Sequence, residues 1–302
     1  MKNKAIIGGI IALAIVVLIG IFCVWVVKKG YEVVNSPEEP NVNKTIPAPK
    51  PQTTKQPTNA EEAQRVFLAF GNPSGANQSD PNNYLLINNF YVNSYSRDRG
   101  IPNWVAWRVT KADMGNLQRE DSFRPDDRLP KGWTRVTPSD YTGSGYDRGH
   151  IAPNADRDGS PESMASTFLM TNMVPQTGDL NRGPWARLEG YLRTLVTRGN
   201  DIYIYAGAYG DNGKLKNKLT IPTNTWKIAV AIPAGSDPNN INENTRVVAV
   251  DMPNVKGILK ADWQIYKTTV RDIEQKTGYS FFSNLSQDLQ DKIETKKDNI
   301  ND

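Results

Sequence analysis

Apolar and polar positions alternate differently along three stretches of the chain. Residues 5–27 contain no charge. As a helix, ~23 residues extend ~34 Å, enough to cross a hydrocarbon core of ~30 Å, so this run predicts a single membrane span. It exceeds the ~7–15 apolar residues of a cleavable leader and has no small-x-small cleavage site. In residues 36–59, Pro37, Pro40, Pro47, Pro49, Pro51 and Pro57 stand among Lys, Thr, Asn and Gln with almost nothing apolar. Such a segment cannot bury a core and predicts an extended tether. Beyond about residue 60 the apolar positions take on the periods of helices and strands. The expected organisation is an anchor over 1–29, a linker over 30–59, one globular domain over 60–296 and a polar tail over 297–302.

Within that domain Ala63, Val66, Phe67 and Phe70 predict a helix over 60–70. Branched and aromatic runs predict strands over 84–95, 103–110, 201–208, 225–232 and 245–252. In the second of these, Val105, Trp107 and Val109 alternate with Trp104, Ala106 and Arg108, which puts Arg108 on the opposite face. Helices are expected over 160–168, 184–197, 268–277 and 285–293. In the helix from Pro184, a residue suited to a first helical position, Trp185, Leu188, Leu192 and Leu195 form one apolar stripe. Glu189 and Arg193 lie off it at i,i+4 spacing, and Asn181 just precedes the helix, where a capping residue would stand. Successive strands with helices between them predict an α+β fold around a largely antiparallel sheet.

Composition narrows the chemistry. A net charge of +4 is too small to diagnose nucleic-acid binding by itself. The single cysteine, Cys23, lies in the apolar run and forbids an intramolecular disulfide. One histidine, His150, excludes a multi-histidine zinc site but suits a general base. The absence of a G-x-S-x-G elbow argues against a serine hydrolase. Gly143 and Gly145 are followed by no Gly-Lys-Ser/Thr, so they form no phosphate loop. Asp126 and Asp127, beside Pro125 and Arg128, fit a solvated turn.

Three motifs carry more information: DRGH at 147–150, TNMVPQ at 171–176 and LNRGPWARLE at 180–189. Together with GNPSGA from Gly71, FRPDD from Phe123 and YSFFSNL from Tyr279, the chain resembles the DNA/RNA non-specific endonucleases, the ββα-metal nucleases, over roughly residues 63–296. That resemblance implies the ββα-metal nuclease fold and a sequence-independent cleavage of DNA and RNA that leaves 5′-phosphate ends. It implies a hydrated Mg²⁺, with Mn²⁺ an alternative, held by Asn181. His150 would activate the attacking water and Glu189 would be a partner of the metal-bound waters. Arg148, Arg108 and Arg193 match phosphate-binding or transition-state arginines, Asn172 and Gln176 match polar positions lining the site, and Asp147 would orient Arg148 or its loop.

The chemistry agrees with such a set. A neutral Asn ligand leaves the cation's charge undiminished toward phosphate, and Mg²⁺ keeps several waters when few protein ligands bind it. A rival reading is a catalytically silent extracytoplasmic nucleic-acid-binding protein, which would keep the arginines and bind with steep salt dependence. Because an unselective nuclease endangers its own cell, the domain is expected outside the membrane. Lys2 and Lys4 before the span and Lys28 and Lys29 after it balance too closely to set the orientation.

Overall fold

The computed structural model describes residues 56–300, so the expected span over 5–27 and nearly all of the tether lie outside the described residues. Among the described residues no helix is long and apolar enough to cross a membrane. Period-two strands build a seven-stranded antiparallel sheet. Its order is β1 (Tyr84–Ile87), β2 (Val92–Ser96), β3 (Ile101–Val109), β6 (Asn200–Tyr209), β9 (Asn224–Pro233), β10 (Arg246–Pro253) and β11 (Lys267–Thr268). Two smaller antiparallel pairs stand apart, β4 (Asp147–His150) with β5 (Met173–Gln176) and β7 (Lys214–Leu215) with β8 (Leu219–Thr220). The helices are α1 (Ala60–Phe67), α2 (Pro161–Ser166), α3 (Ala186–Thr197), α4 (Val270–Thr277) and α5 (Gln287–Glu294).

Alternation along the central strands gives the sheet two buried faces. Val105, Trp107 and Val109 of β3 join Ile202 and Ile204 of β6 in a core shared with Met173, Trp185, Leu188, Leu192 and Leu195. Trp104, Ala106, Tyr203, Tyr205, Ile228 and Val230 point the other way and pack with Phe67, Phe70, Val270, Ile273 and Phe281. A sheet covered on both sides explains why its central strands read as nearly continuous apolar runs. It also separates two populations of polar side chains, and only one of them can reach the hairpin β4–β5.

The α+β architecture agrees with the expectation from sequence, with three local differences. The run over 84–95 is two strands folded as a hairpin, Tyr84 pairing with Tyr95 and Ile87 with Val92. Asn88 makes the turn by accepting from the N–H groups of Phe90 and Tyr91 at 2.7 and 2.8 Å, so no Gly or Pro is needed. The helix expected from Pro184 is regular only from Ala186, and Asn181–Trp185 forms a wider π turn. The expected polar tail is tied down as far as it is described: the buried Asp298 carboxylate holds Arg246 at 3.1 Å and Lys267 at 3.0 Å.

Candidate active site

The hairpin β4–β5 pairs Asp147 with Gln176, Arg148 with Pro175, Gly149 with Val174 and His150 with Met173. Met173 and Val174 are fully buried and anchor the hairpin to the sheet core. Asn93 of β2 helps hold its approach by donating to Thr171 O at 3.1 Å. After β5, Thr177 caps a single turn (Gly178–Leu180) that runs into the π turn and then α3. Pro184 cannot donate a backbone hydrogen bond, and Gly183 departs from helical geometry at φ −99°, ψ −118°, so the widened turn absorbs both. Asn181 therefore sits inside this helical path with αR dihedrals and is not the N-terminal cap of the helix that follows. The Trp185 indole N–H donates to His150 O at 3.3 Å and fixes the helix across β4.

His150 lies between two phenyl rings, 4.9 Å edge-on from Phe168 and 5.5 Å from Phe123. Burial, reinforced by the nearby Arg119 and Arg148 charges, lowers its pKa from 6.5 to about 3. Its Nε2 has no hydrogen-bond partner in the structure. The side chain is thus a neutral imidazole with spare proton-accepting capacity at any physiological pH.

Of the two roles expected for Asp147, orienting Arg148 or its loop, the first has no bond to support it: its partners are Arg182 and Asn181. Its carboxylate takes two hydrogen bonds from Arg182, at 2.9 and 2.7 Å, and one from the Asn181 amide Nδ2 at 2.9 Å. Because that nitrogen is committed to a carboxylate, Asn181 Oδ1 is the atom left to accept or to coordinate. The chemistry of this donor fits a hard cation that retains most of its water, since one neutral oxygen ligand suffices for such an ion. No cluster of three or more His, Cys, Asp or Glu suited to a metal exists among the described residues. The residues present therefore fit a largely hydrated ion and offer no closed cage.

Arg148 and Asn181 line one cleft together with Asp147, Arg182, Phe123 and a residue that sequence reasoning missed, Arg119. The Arg148 guanidinium lies 4.1 Å over the Phe123 ring. The Arg119 guanidinium lies 5.2 Å over Phe168 and is braced by Asp121 at 2.6 Å and Asn154 at 3.2 Å. Both cations thus stack on the rings that enclose His150. Arg119 belongs to an irregular loop whose pattern carries no period, and only the fold brings it to the histidine.

Glu189 and Arg193 do not pair with each other and are not in the lining of the cleft. They continue, at four-residue spacing after Asn181 and Trp185, into a buried charge cluster behind it. Glu189 Oε1 accepts from Lys227 Nζ at 3.2 Å, and Arg193 reaches Asp156 at 3.0 Å. Asp156 also accepts from the Trp107 indole at 3.0 Å. Burial raises the pKa of Glu189, Lys227 counteracts, and Asp156 adds to the rise.

Asn172 is fully buried and serves the backbone. It accepts from Ala152 N and donates to Ala152 O and Thr167 O, fastening the segment that follows His150. Gln176, equally buried, lies over Gly149 with neither amide atom hydrogen-bonded. Neither Asn172 nor Gln176 is in the lining of the cleft, and Arg108 lies on the other side of the sheet from that cleft. Strand parity points it away from Trp107 toward the far face, where it lines a separate surface pocket with Glu62, Arg65 and Tyr203. Asp126 is likewise not a solvated turn residue: it is buried and held by Arg128 and by Thr171 at 2.6 Å, whereas Asp127 is exposed.

The model of the DNA/RNA non-specific endonucleases matches residues 71–288. A nuclease of a Nostoc species is 52% identical over 238 residues, covering 78% of this chain and 86% of its own. The nuclease of Serratia marcescens is 30% identical over 246 residues, 76% of this chain and 84% of its own. The mitochondrial nuclease EXOG of Danio rerio is 32% identical over 247 residues, 76% of this chain and 68% of its own. The fold is similar to a chain in the crystal structure of the EndoG/EndoGI complex, with a TM-score of 0.63 and 25% identity over 77% of this chain and 96% of that one.

Proposed function

Because the chain belongs to the DNA/RNA non-specific endonuclease family, we propose that it hydrolyses phosphodiester bonds in DNA and RNA, with His150 as general base and Asn181 as the protein ligand of a hydrated Mg²⁺ or Mn²⁺. The observation that carries this reading is one cleft lined by Asn181, whose amide nitrogen is committed to Asp147, and by Arg119 and Arg148, which stack on the two rings enclosing the buried His150 imidazole. A bound divalent ion would supply positive charge to the phosphate and to the departing 3′ oxygen.

The chain's own groups do the rest. His150 takes a proton from the attacking water, a transfer that its neutral state permits without prior deprotonation. Arg119 and Arg148 neutralise the non-bridging oxygens as charge builds at phosphorus. Glu189, outside the cleft lining and paired with Lys227 at 3.2 Å, would accept from waters around a bound ion. Arginines and an ion address the phosphate backbone, which carries no base information, so cutting is independent of sequence; the 5′-phosphate ends are what the family resemblance implies. A silent binding protein would use the arginines but has no need of an imidazole kept deprotonated beside them.

We propose further that residues 5–27 anchor the chain in a membrane with the head outside. Incubating the full chain with plasmid DNA and with RNA, with Mg²⁺, with Mn²⁺ and with EDTA, tests the activity. Degradation of both polymers that EDTA abolishes is expected. Discrete bands from a random-sequence duplex, or cutting that ignores EDTA, would overturn it.

A further inference from the structure

Lys227 is an unusual occupant of a central strand. It stands in β9 opposite Ala206 and Val250, on the sheet face that carries the site, and is 1% exposed. A buried ammonium persists only when it is paired, and two partners meet it. Glu189 Oε1 lies 3.2 Å from Nζ, and the Trp185 ring lies 4.2 Å from it, with Trp107 at 5.4 Å. Both close partners belong to the site helix and its π turn, and Trp185 itself bonds the backbone carbonyl of His150. One cation thus ties together Glu189 and the indole that fixes the helix against the histidine's strand.

We propose that Lys227 is the positioning residue of Glu189: it anchors one carboxylate oxygen against the sheet and so sets where the other is held relative to the turn that carries Asn181. This rests on the nuclease reading above. A well-packed apolar residue often serves stability equally well or better in such a place, so the pair's value lies in orientation. Asp156 lies close enough to push Glu189 toward its protonated form, and Arg193, paired with Asp156, opposes that push less directly than Lys227 does.

The test uses the full chain as Lys227→Met, Lys227→Gln, Glu189→Gln and the Lys227→Met/Glu189→Gln double variant. Folding is read by near-ultraviolet circular dichroism, kinetics on a nucleic-acid substrate and Mn²⁺ affinity by calorimetry. The expected result for a folded Lys227 variant is a kcat lower by about 10²-fold, a KM within about threefold, and Mn²⁺ binding weaker by about 10-fold or more. In the Glu189→Gln background the Lys227 change is expected to add almost nothing, because both side chains act through one carboxylate. A folded Lys227→Met or Lys227→Gln protein with near wild-type kcat and Mn²⁺ affinity overturns the proposal. So does an equal loss in both backgrounds, and so does failure of both single variants to fold, which would make the lysine structural. A wild-type chain that cuts neither DNA nor RNA would instead sink the nuclease reading on which the pair's role depends.

Discussion

His150 is the one histidine of the chain, so its imidazole proton resonances can be followed without assignment. Above pH 6.5 the ring is neutral in both folded and unfolded chains and contributes nothing to pH dependence. Between 6.5 and about 3 only the unfolded chain takes up the proton, so stability falls as pH falls through that window and the loss is complete below it. Titration by NMR is expected to show no protonation of the folded ring from pH 8 to 5; a midpoint near 6.5 would mean the ring is solvated and the enclosure by Phe123 and Phe168 is wrong. His150→Ala should lower cleavage about 10²- to 10⁴-fold with folding intact, and retention of more than a tenth of wild-type turnover would remove the base assignment. Asp147→Ala should weaken Mn²⁺ binding about 10- to 100-fold by releasing the Asn181 amide, an effect expected to vanish in an Asn181→Ala background; equal losses in both would assign Asp147 a separate role. At this scale the motifs made His150, Arg148 and Asn181 legible, because family residues at fixed spacing announce themselves. Arg119 was not legible, since a loop arginine among NLQREDS differs in no way from any solvated one. Arg108 was misplaced although its parity was read correctly, because the sequence does not say which face of the sheet the DRGH strand will cover.

The elements that bear the site are the ones the hydrophobic pattern describes worst. Strands of nine and ten residues, such as Ile101–Val109 and Asn200–Tyr209, repeat their period often enough to be found, and so does the apolar stripe of α3. The four-residue strands Asp147–His150 and Met173–Gln176 complete at most two periods, and the first contains almost nothing apolar. Their pairing depends instead on a steric fit. A Cβ at Gly149 would come within 2.1 Å of Gln176 Oε1, so only glycine lets the glutamine lie across the hairpin. Gly149→Ala should therefore cost about 1–3 kcal/mol of stability and disturb His150 next door. The Gly149→Ala/Gln176→Ala double variant should recover most of that stability in urea titrations. An unrecovered loss would place the strain in the backbone instead. The π turn was hidden for a related reason: Pro184 signals a helix start, and that signal is the same whether the preceding residues are a cap or, as here, an irregular turn already within the helical path.

For the whole molecule, the proposed span raises the question of which side of a membrane the head would occupy. A sequence-independent nuclease held in the cytoplasm would attack its own cell's nucleic acid, so the proposed span over residues 5–27 should leave the domain outside. Tether length is compatible with that arrangement. About 24 Pro-rich residues at ~3.1 Å each reach ~75 Å when fully extended, far enough to let the head meet long polymers clear of the lipid headgroups. Cys23, the chain's one cysteine, belongs to the apolar run, so an exported head would carry no thiol to mispair. The lysines flanking the run oppose one another and leave the orientation to experiment. Protease added to intact cells should cut within the tether and release an active fragment of roughly residues 60–302. It should spare the core of that fragment, whose two sheet faces are buried and whose Asp298 ion pairs fasten the segment after the last helix as far as it is described. A head that resists release until the membrane is lysed would place it inside, and a cell carrying it there would need an inhibitor bound over the His150 cleft.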